Sequence, residues 1–391
     1  MRITDVALWK VDASWRNWVF LRVDTDSGIA GVGECTVEGR ENAVEGAIED
    51  MGRKVLGRDP RRIRELHDVL TRHGYWDAGP VVSSAVGGLE MALWDILGKS
   101  FDAPVHSLLG GRVRDSARVY SNAWYFGAET AEEFGERAAE TVSGGYTALK
   151  FDPFGSAGLA ISEEELAQAV ARVEAVREAV GPRVALLIEG HGRFAVESAL
   201  RVGRAIERFD VRFFEEPVPP GDFSALRRVA NAVRVPIAVG ERCYGARECA
   251  AAIRLGGIAV IQPDVIHVGG IGPLLSVATA AETAFVAFAP HNASGPIATA
   301  ATLQVAAVAP NLLIQEMFAP LDAPWRDAVA RPPIEIEAGH VAIPEGPGLG
   351  IELDEAELLK HPFVPRDLDL FADESILNRS VLPEEASAVD A

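Results

Sequence analysis

From about residue 117 the sequence repeats one pattern: a short apolar run, a polar loop and an amphipathic helical stretch. The runs fall at 119–123, 147–151, 184–188, 212–214, 236–239, 258–261, 285–289 and 312–314, with helix-like stretches such as 162–180 and 223–232 between them. Parallel strands need a crossover of a dozen or more residues, usually a helix. Eight such units point to a closed parallel barrel rather than an open sheet, so the expected fold class is α/β, a TIM-type barrel. The rhythm stops after residue 320, where Pro- and Gly-rich loops and short strands take over.

Before the repeat, residues 19–24 and 29–34 read as strands around an Asp26-Ser27-Gly28 turn. Residues 61–110 read as helical, with apolar residues at helical spacing over 85–98 and a stop at Gly110-Gly111. The expected organisation is an α+β capping domain over 1–122, the barrel over 123–320, and a segment over 321–391 that returns to the cap. The tail from about 380 is expected to fray.

Hydrophobic residues make up 48% of the 391, enough for a large core. No continuous apolar run reaches the roughly 18 residues that span a bilayer. The N-terminus reads as a strand rather than a signal peptide. Cys35, Cys243 and Cys249 fit no metal-finger spacing, so a reduced cytoplasmic protein is expected. A net charge of −20 argues against nucleic acid and anionic membranes as partners. An anionic substrate would need local cations to offset that field.

The residues that close the runs carry the chemistry. Three successive units end in Glu189, Glu215 and Glu241, at spacings of 26 and 26. The next end in Asp264, His291 and Glu316, at 23, 27 and 25. A parallel barrel gathers these strand ends on one rim. Three carboxylates there repel unless a cation joins them, and an all-oxygen set suits Mg²⁺. The bland alternative pairs them with arginines such as Arg193 and Arg242. His191, two residues after Glu189, points to the same side in an extended chain. Asp264 could orient the His291 ring and raise its basicity, making a general base. Lys150, the only lysine between residues 100 and 359, could pair with a substrate carboxylate or a forming enolate. Its bland reading is a solvated side chain. Trp15, Arg16, Asn17 and Trp18 form one aromatic-polar cluster, and Tyr75, Trp76 and Asp77 another. Both suit loops closing over a polyol chain, with domain packing as the alternative. Trp15, Arg16, Asn17, Trp18, Trp76 and Asp152 are the candidate substrate-binding residues. Gly269-Gly270-Ile271-Gly272 reads as an ordinary βα loop.

Several segments together resemble the enolase superfamily, in its mandelate racemase/muconate lactonizing enzyme-like branch. They are Ala148-Leu149-Lys150-Phe151-Asp152-Pro153-Phe154-Gly155, Ile188-Glu189-Gly190-His191-Gly192-Arg193-Phe194, Glu215-Glu216-Pro217 and Val239-Gly240-Glu241-Arg242. Gln262-Pro263-Asp264, Ala289-Pro290-His291-Asn292 and Ile314-Gln315-Glu316 complete the set. The resemblance covers about residues 1–365. It implies a modified (β/α)7β barrel under an α+β cap, with Mg²⁺ held by Glu189, Glu215 and Glu241. His191 after the first ligand resembles the gluconate- and galactonate-type dehydratases, and Glu189 with its Lys-Phe-Asp-Pro-Phe-Gly segment resembles the gluconate type. Asp152 stands where mandelate-type racemases carry a second lysine.

The implied reaction is dehydration of a sugar acid to a 2-keto-3-deoxy acid. In it His291, held by Asp264, takes the carbon-2 proton and His191 protonates the departing 3-hydroxyl. Lys150 offsets charge and Glu316 hydrogen-bonds substrate or enediolate. The expected partner is a small acid sugar, bound by a homo-oligomer, with no nucleic acid or membrane. An epimerase or racemase using both histidines remains the rival on the same site. A zinc hydrolase would need more histidines, a glycosidase only a carboxylate pair, and a non-enzymatic barrel would leave the acid, base and ligands unexplained.

Overall fold

The computed structural model describes residues 1–72, 79–318 and 323–366. Three antiparallel strands open the chain, β1 (Ile3–Ala13), β2 (Arg16–Thr25) and β3 (Ala30–Glu34), in that order across the sheet. The first hairpin turns at Ser14-Trp15, so Arg16, Asn17 and Trp18 are strand residues rather than loop residues. Helices α1 (Glu41–Val55), α2 (Ile63–Thr71) and α3 (Pro80–Ser100) pack on this sheet. Proline at the first turn of α3 suits a position with no intrahelical N–H partner.

The sheet and α3 meet at backbone distance. A Cβ on Gly33 would lie 1.9 Å from the Gly88 carbonyl oxygen, and one on Gly31 would lie 2.1 Å from that of Ala92. By length and composition α3 could cross a membrane, although Glu90 and Asp95 break its apolar run. Instead 78% of its apolar window is buried inside the fold.

A short helix, α4 (Val105–Leu108), leads into the barrel. Its strands are β4 (Ser116–Asn122), β5 (Ala148–Phe151), β6 (Ala185–Glu189), β7 (Val211–Glu215), β8 (Ile237–Val239), β9 (Val260–Ile261), β10 (Ala287–Phe288) and β11 (Gln315–Phe318). Neighbours from β4 to β10 pair in parallel, and β11 returns to pair with β4. The ring closes just before β11, where the Leu313 N–H donates to the Phe288 carbonyl at 2.7 Å. Seven helices alternate with the strands: α5 (Ala131–Ser143), α6 (Glu163–Val180), α7 (Val196–Ile206), α8 (Phe223–Ala230), α9 (Ala246–Leu255), α10 (Ile271–Thr283) and α11 (Pro296–Val308). Thr130 with Glu133 and Ser162 with Glu165 form capping boxes that start α5 and α6. After β11 the chain leaves the ring, giving the (β/α)7β form with an α+β cap. Tyr120, Leu187, Phe213 and Ile314 are part of a buried layer inside the ring.

The C-terminal segment runs back along the molecule. Residues His340–Ala342 pair antiparallel with β4, and Pro362 bridges to Val11 of the cap. The Asn17 side chain donates to the Val364 carbonyl at 2.9 Å and accepts from its N–H at 3.3 Å.

Two buried acids dock the cap on the barrel. Glu34, at the end of β3, accepts from the N–H groups of Gly295 and Ala298 at 2.6 and 2.9 Å, at the start of α11. Glu90, on α3, accepts from those of Ile271 and Gly272 at 2.7 and 2.9 Å, at the start of α10. Helix N-termini offer unpaired donors and a partial positive charge, which suits a carboxylate. Burial pushes both acids up to about 7, with these backbone bonds pulling the other way. Replacing Glu34 with Ala strands the α11 donors in a buried interface. The variant should lose about 2 kcal/mol of unfolding free energy in denaturant titration; no loss would mean this contact does not dock the cap.

Candidate active site

Each barrel strand delivers its last polar residue to one mouth, because side chains alternate along a strand and the strand ends share a rim. Lys150 comes from β5, Glu189 from β6, Glu215 from β7 and Glu316 from β11, while Glu241, Asp264 and His291 follow β8, β9 and β10. All seven meet at this mouth.

Lys150 lies at the bottom of the cluster, 1% exposed. Its ammonium is 3.2 Å from Glu189 Oε2, 2.9 Å from Glu215 Oε2 and 2.9 Å from Glu316 Oε1. It is therefore not a solvated lysine. Burial alone would lower its pKa, but the surrounding carboxylates outweigh that and keep it charged. Glu316, expected to hydrogen-bond a substrate, also anchors Lys150, and its Oε2 lies 3.8 Å from His291 Nε2 on the same mouth. One of its oxygens accepts from Lys150 and from Asn122 Nδ2 at 2.8 Å, the other from the Asn292 N–H at 2.9 Å. The residue is fully buried and anchors Lys150.

Glu189, Glu215 and Glu241 each offer an oxygen, all within 4.8 Å of one another. Glu215 Oε1 is buried without a hydrogen-bond partner. Burial first, and then the charge of Glu189, hold Glu215 well above the usual carboxylate range. Against its own burial, His191 and Lys150 hold Glu189 down to about 2. An unpartnered buried carboxylate oxygen calls for a proton or a cation. With Glu189 and Glu241 beside it, the set offers three carboxylates and oxygen donors only, which fits a divalent cation.

Two His–Asp pairs flank this cluster. His291 Nδ1 donates to Asp264 Oδ2 at 2.8 Å, and its Nε2 lies 3.2 Å from Glu241 Oε2. Asp264 is itself held by the Ile266 N–H at 2.7 Å. His191 Nδ1 donates to Asp152 Oδ2 at 2.7 Å, and its N–H donates to Glu189 Oε1 at 2.7 Å. Strands β6 and β10 are four apart in a ring of eight, so the histidines face each other across the mouth. Burial works against charging either ring. Even so, Glu316 and Glu241 push His291 well above its ordinary range, and Glu189 and Asp152 raise His191.

Asp152 was expected to bind substrate. Instead its Oδ2 is shared by His191 and Arg193, and its Oδ1 accepts from the Phe154 N–H at 2.9 Å. It positions His191. Arg193 and Arg242, the bland partners for the metal-site acids, are engaged with Asp152 and Glu216, though Arg242 also passes 3.7 Å from Glu241.

Among the cap residues, Trp15 reaches the rim, packing on Phe126 and Phe318 with centroids 5.9 and 5.2 Å away. The other three described cap residues are buried, the packing alternative for this cluster. Trp18 is fully buried against Phe20 and Trp325, because β2 begins before it and turns it into the core. Asn17 is taken up by Glu41 and Val364. Arg16 is buried between the rings of Trp15 and Phe318, at 4.5 and 4.6 Å. Trp76 lies outside the described residues.

Sequence reasoning gave no role to Asn122, Gln262 or Asn292. Gln262 Nε2 donates to Glu215 Oε2 at 2.8 Å. The strand-end rule could have found Asn122, which closes β4.

Removing the Lys150 charge leaves Glu189, Glu215 and Glu316 buried without it. Lys150→Met should cost about 3 kcal/mol of stability, and added Mg²⁺ should recover part of that in thermal melts. A variant as stable as the wild type without Mg²⁺ would show that the cluster does not need this cation.

Residues 5–110 match the mandelate racemase/muconate lactonizing enzyme N-terminal domain, and residues 133–357 match the enolase C-terminal domain-like family. The chain is 37% identical over 372 residues to a D-galactonate dehydratase of Variovorax paradoxus, covering 94% of this chain and 96% of that protein. It is 36% identical over 361 residues to a D-gluconate dehydratase of Thermoproteus tenax, covering 92% of this chain and 73% of the relative. The crystal structure of a mandelate racemase/muconate lactonizing enzyme from Jannaschia sp. CCS1 superposes with a TM-score of 0.89 at 34% identity, covering 95% of this chain and all of that one. With both domains matched and the strand-end residues gathered on one rim, this chain belongs to the mandelate racemase/muconate lactonizing enzyme family of the enolase superfamily.

Proposed function

We propose that this protein dehydrates an aldonic acid, removing the carbon-2 proton and the 3-hydroxyl to leave a 2-keto-3-deoxy sugar acid. The observation that carries this reading is the opposed pair of His–Asp couples, His291–Asp264 and His191–Asp152, across one carboxylate cluster. Relatives named for D-galactonate and D-gluconate dehydration support the substrate class.

A carbon-2 proton is only weakly acidic, so its removal needs a positioned base and compensation for the charge that develops. Glu189, Glu215 and Glu241 would hold a divalent cation, magnesium by the hardness of the oxygen ligands, which would supply that compensation at the substrate carboxylate. His291 Nε2 takes the proton, and Asp264 stabilises the imidazolium that forms. The charges of Glu316 and then Glu241 raise His291 against its burial. A cation on Glu241 would weaken its part of that pull and favour the neutral ring as a base.

His191, raised by Glu189 and Asp152 against its burial, gives its Nε2 proton to the 3-hydroxyl. The hydroxyl leaves as water, the electrons of the broken C–H bond form the C2–C3 double bond, and the enol tautomerises to the 2-keto acid. Lys150 keeps the cluster from carrying its full negative charge. Trp15 covers part of the mouth and excludes water from the reacting face.

The same opposed geometry favours one rival, racemisation or epimerisation at carbon 2 with His191 as the second base. A screen of acid sugars with Mg²⁺, detecting 2-keto-3-deoxy products, separates the two. Turnover of gluconate, galactonate or a close relative is expected. Metal stripping should abolish it, and His291→Asn should lower it about a thousandfold. Carbon-2 deuterium uptake without any dehydrated product would move the function to epimerisation.

A further inference from the structure

The opposite end of the barrel opens into a separate cavity of about 920 Å³. Its walls are strand starts: Val184 and Ala185 at β6, Val211 and Arg212 on β7, Pro236 before β8 and Leu313 before β11. The buried layer containing Tyr120, Leu187, Phe213 and Ile314 separates it from Lys150. It is therefore not part of the catalytic mouth.

Seven arginines line this cavity against two acids, Glu207 and Asp210, in a chain whose net charge is −20. Three are engaged. Arg118 donates to the Thr147 side chain and carbonyl, Arg177 to the carbonyls of Phe209, Gly181 and Val184, and Arg208 to Glu174 at 3.5 Å. Among the described residues, the side chains of Arg183, Arg204, Arg212 and Arg234 make no hydrogen bond or ion pair. One of them is there because of a bulge. Leu186 pairs with Val211 and Leu187 with Phe213, so Arg212 is an extra residue on β7, and bulges re-aim side chains. Like charges held together repel, and Arg118 is lowered by burial and then by Arg212. Nothing in the catalytic account uses this grouping.

We propose that this cavity binds a small molecule carrying two or more phosphate or carboxylate groups. Guanidinium forks recognise these groups with paired, charge-assisted hydrogen bonds, and the volume is that of a small-molecule site. The substrate class proposed above has a single carboxylate, which cannot engage four uncommitted guanidiniums. The occupant is thus a different, more highly charged metabolite.

The test uses the full chain stripped of metal on a chelating resin, so that the acidic catalytic mouth repels anions. Pyrophosphate and citrate are titrated separately by calorimetry. Saturable binding of at least one is expected, weakened about tenfold or more in the Arg183→Ser/Arg212→Ser double variant. Both side chains are exposed, and an unchanged melting temperature verifies the variant's fold. Binding of pyrophosphate alone assigns a phosphorylated ligand, and binding of citrate alone a polycarboxylate. Saturable binding of neither, or equal affinity in the double variant, overturns the proposal.

Discussion

The structure is organised around repulsion among carboxylates gathered at one mouth, three of them buried. Glu189, Glu215, Glu241 and Glu316 come from four different strands and converge on one mouth. Lys150 touches three of them and leaves Glu215 Oε1 unpartnered. Taking Glu189, Glu215 and Glu316 out of water for one ammonium, beside a half-buried Glu241, is unfavourable by itself. The barrel tolerates it because its hydrophobic frame holds the strand ends in register, and because the remaining charge makes a site for a divalent cation. The electrostatic cost and the catalytic use have the same source.

Around that centre the supports are built in pairs. Each histidine is oriented by an aspartate on the neighbouring strand, Asp152 at β5 for His191 at β6 and Asp264 at β9 for His291 at β10. The cap is held by two acids on two helix N-termini, Glu34 on α11 and Glu90 on α10. Helix α11 begins directly after the loop that carries His291, and α10 after the loop beyond Asp264. Cap docking and base placement thus share the same two loops, and Ser84 of α3 bonds the His267 ring in one of them at 2.9 Å.

The barrel and the strand-end residues were legible in the sequence because a βα unit has a nearly constant length, which turns position along the chain into position around the ring. Residues off that rhythm were harder to place. Asp152 lies two residues beyond Lys150, just past its strand, and only the fold shows that it meets His191, which is 39 residues away. Trp18 and Asn17 fit a closing loop or domain packing equally well in the sequence, and the Asn17 bond to Val364 that decides for packing spans 347 positions. Arg212 gave no local signal, since a bulge appears only when two strands are set side by side.

The central claim is a division of labour: His291 removes the proton and His191 expels the hydroxyl. The direct measurement is carbon-2 hydrogen exchange by a His191→Asn variant in D₂O, using the acid sugar that the wild type dehydrates. The account predicts continued deuterium incorporation at carbon 2, with dehydration reduced about a hundredfold or more. Loss of exchange and dehydration together, with Mg²⁺ binding intact, would contradict it and place His191 in the proton-abstraction step.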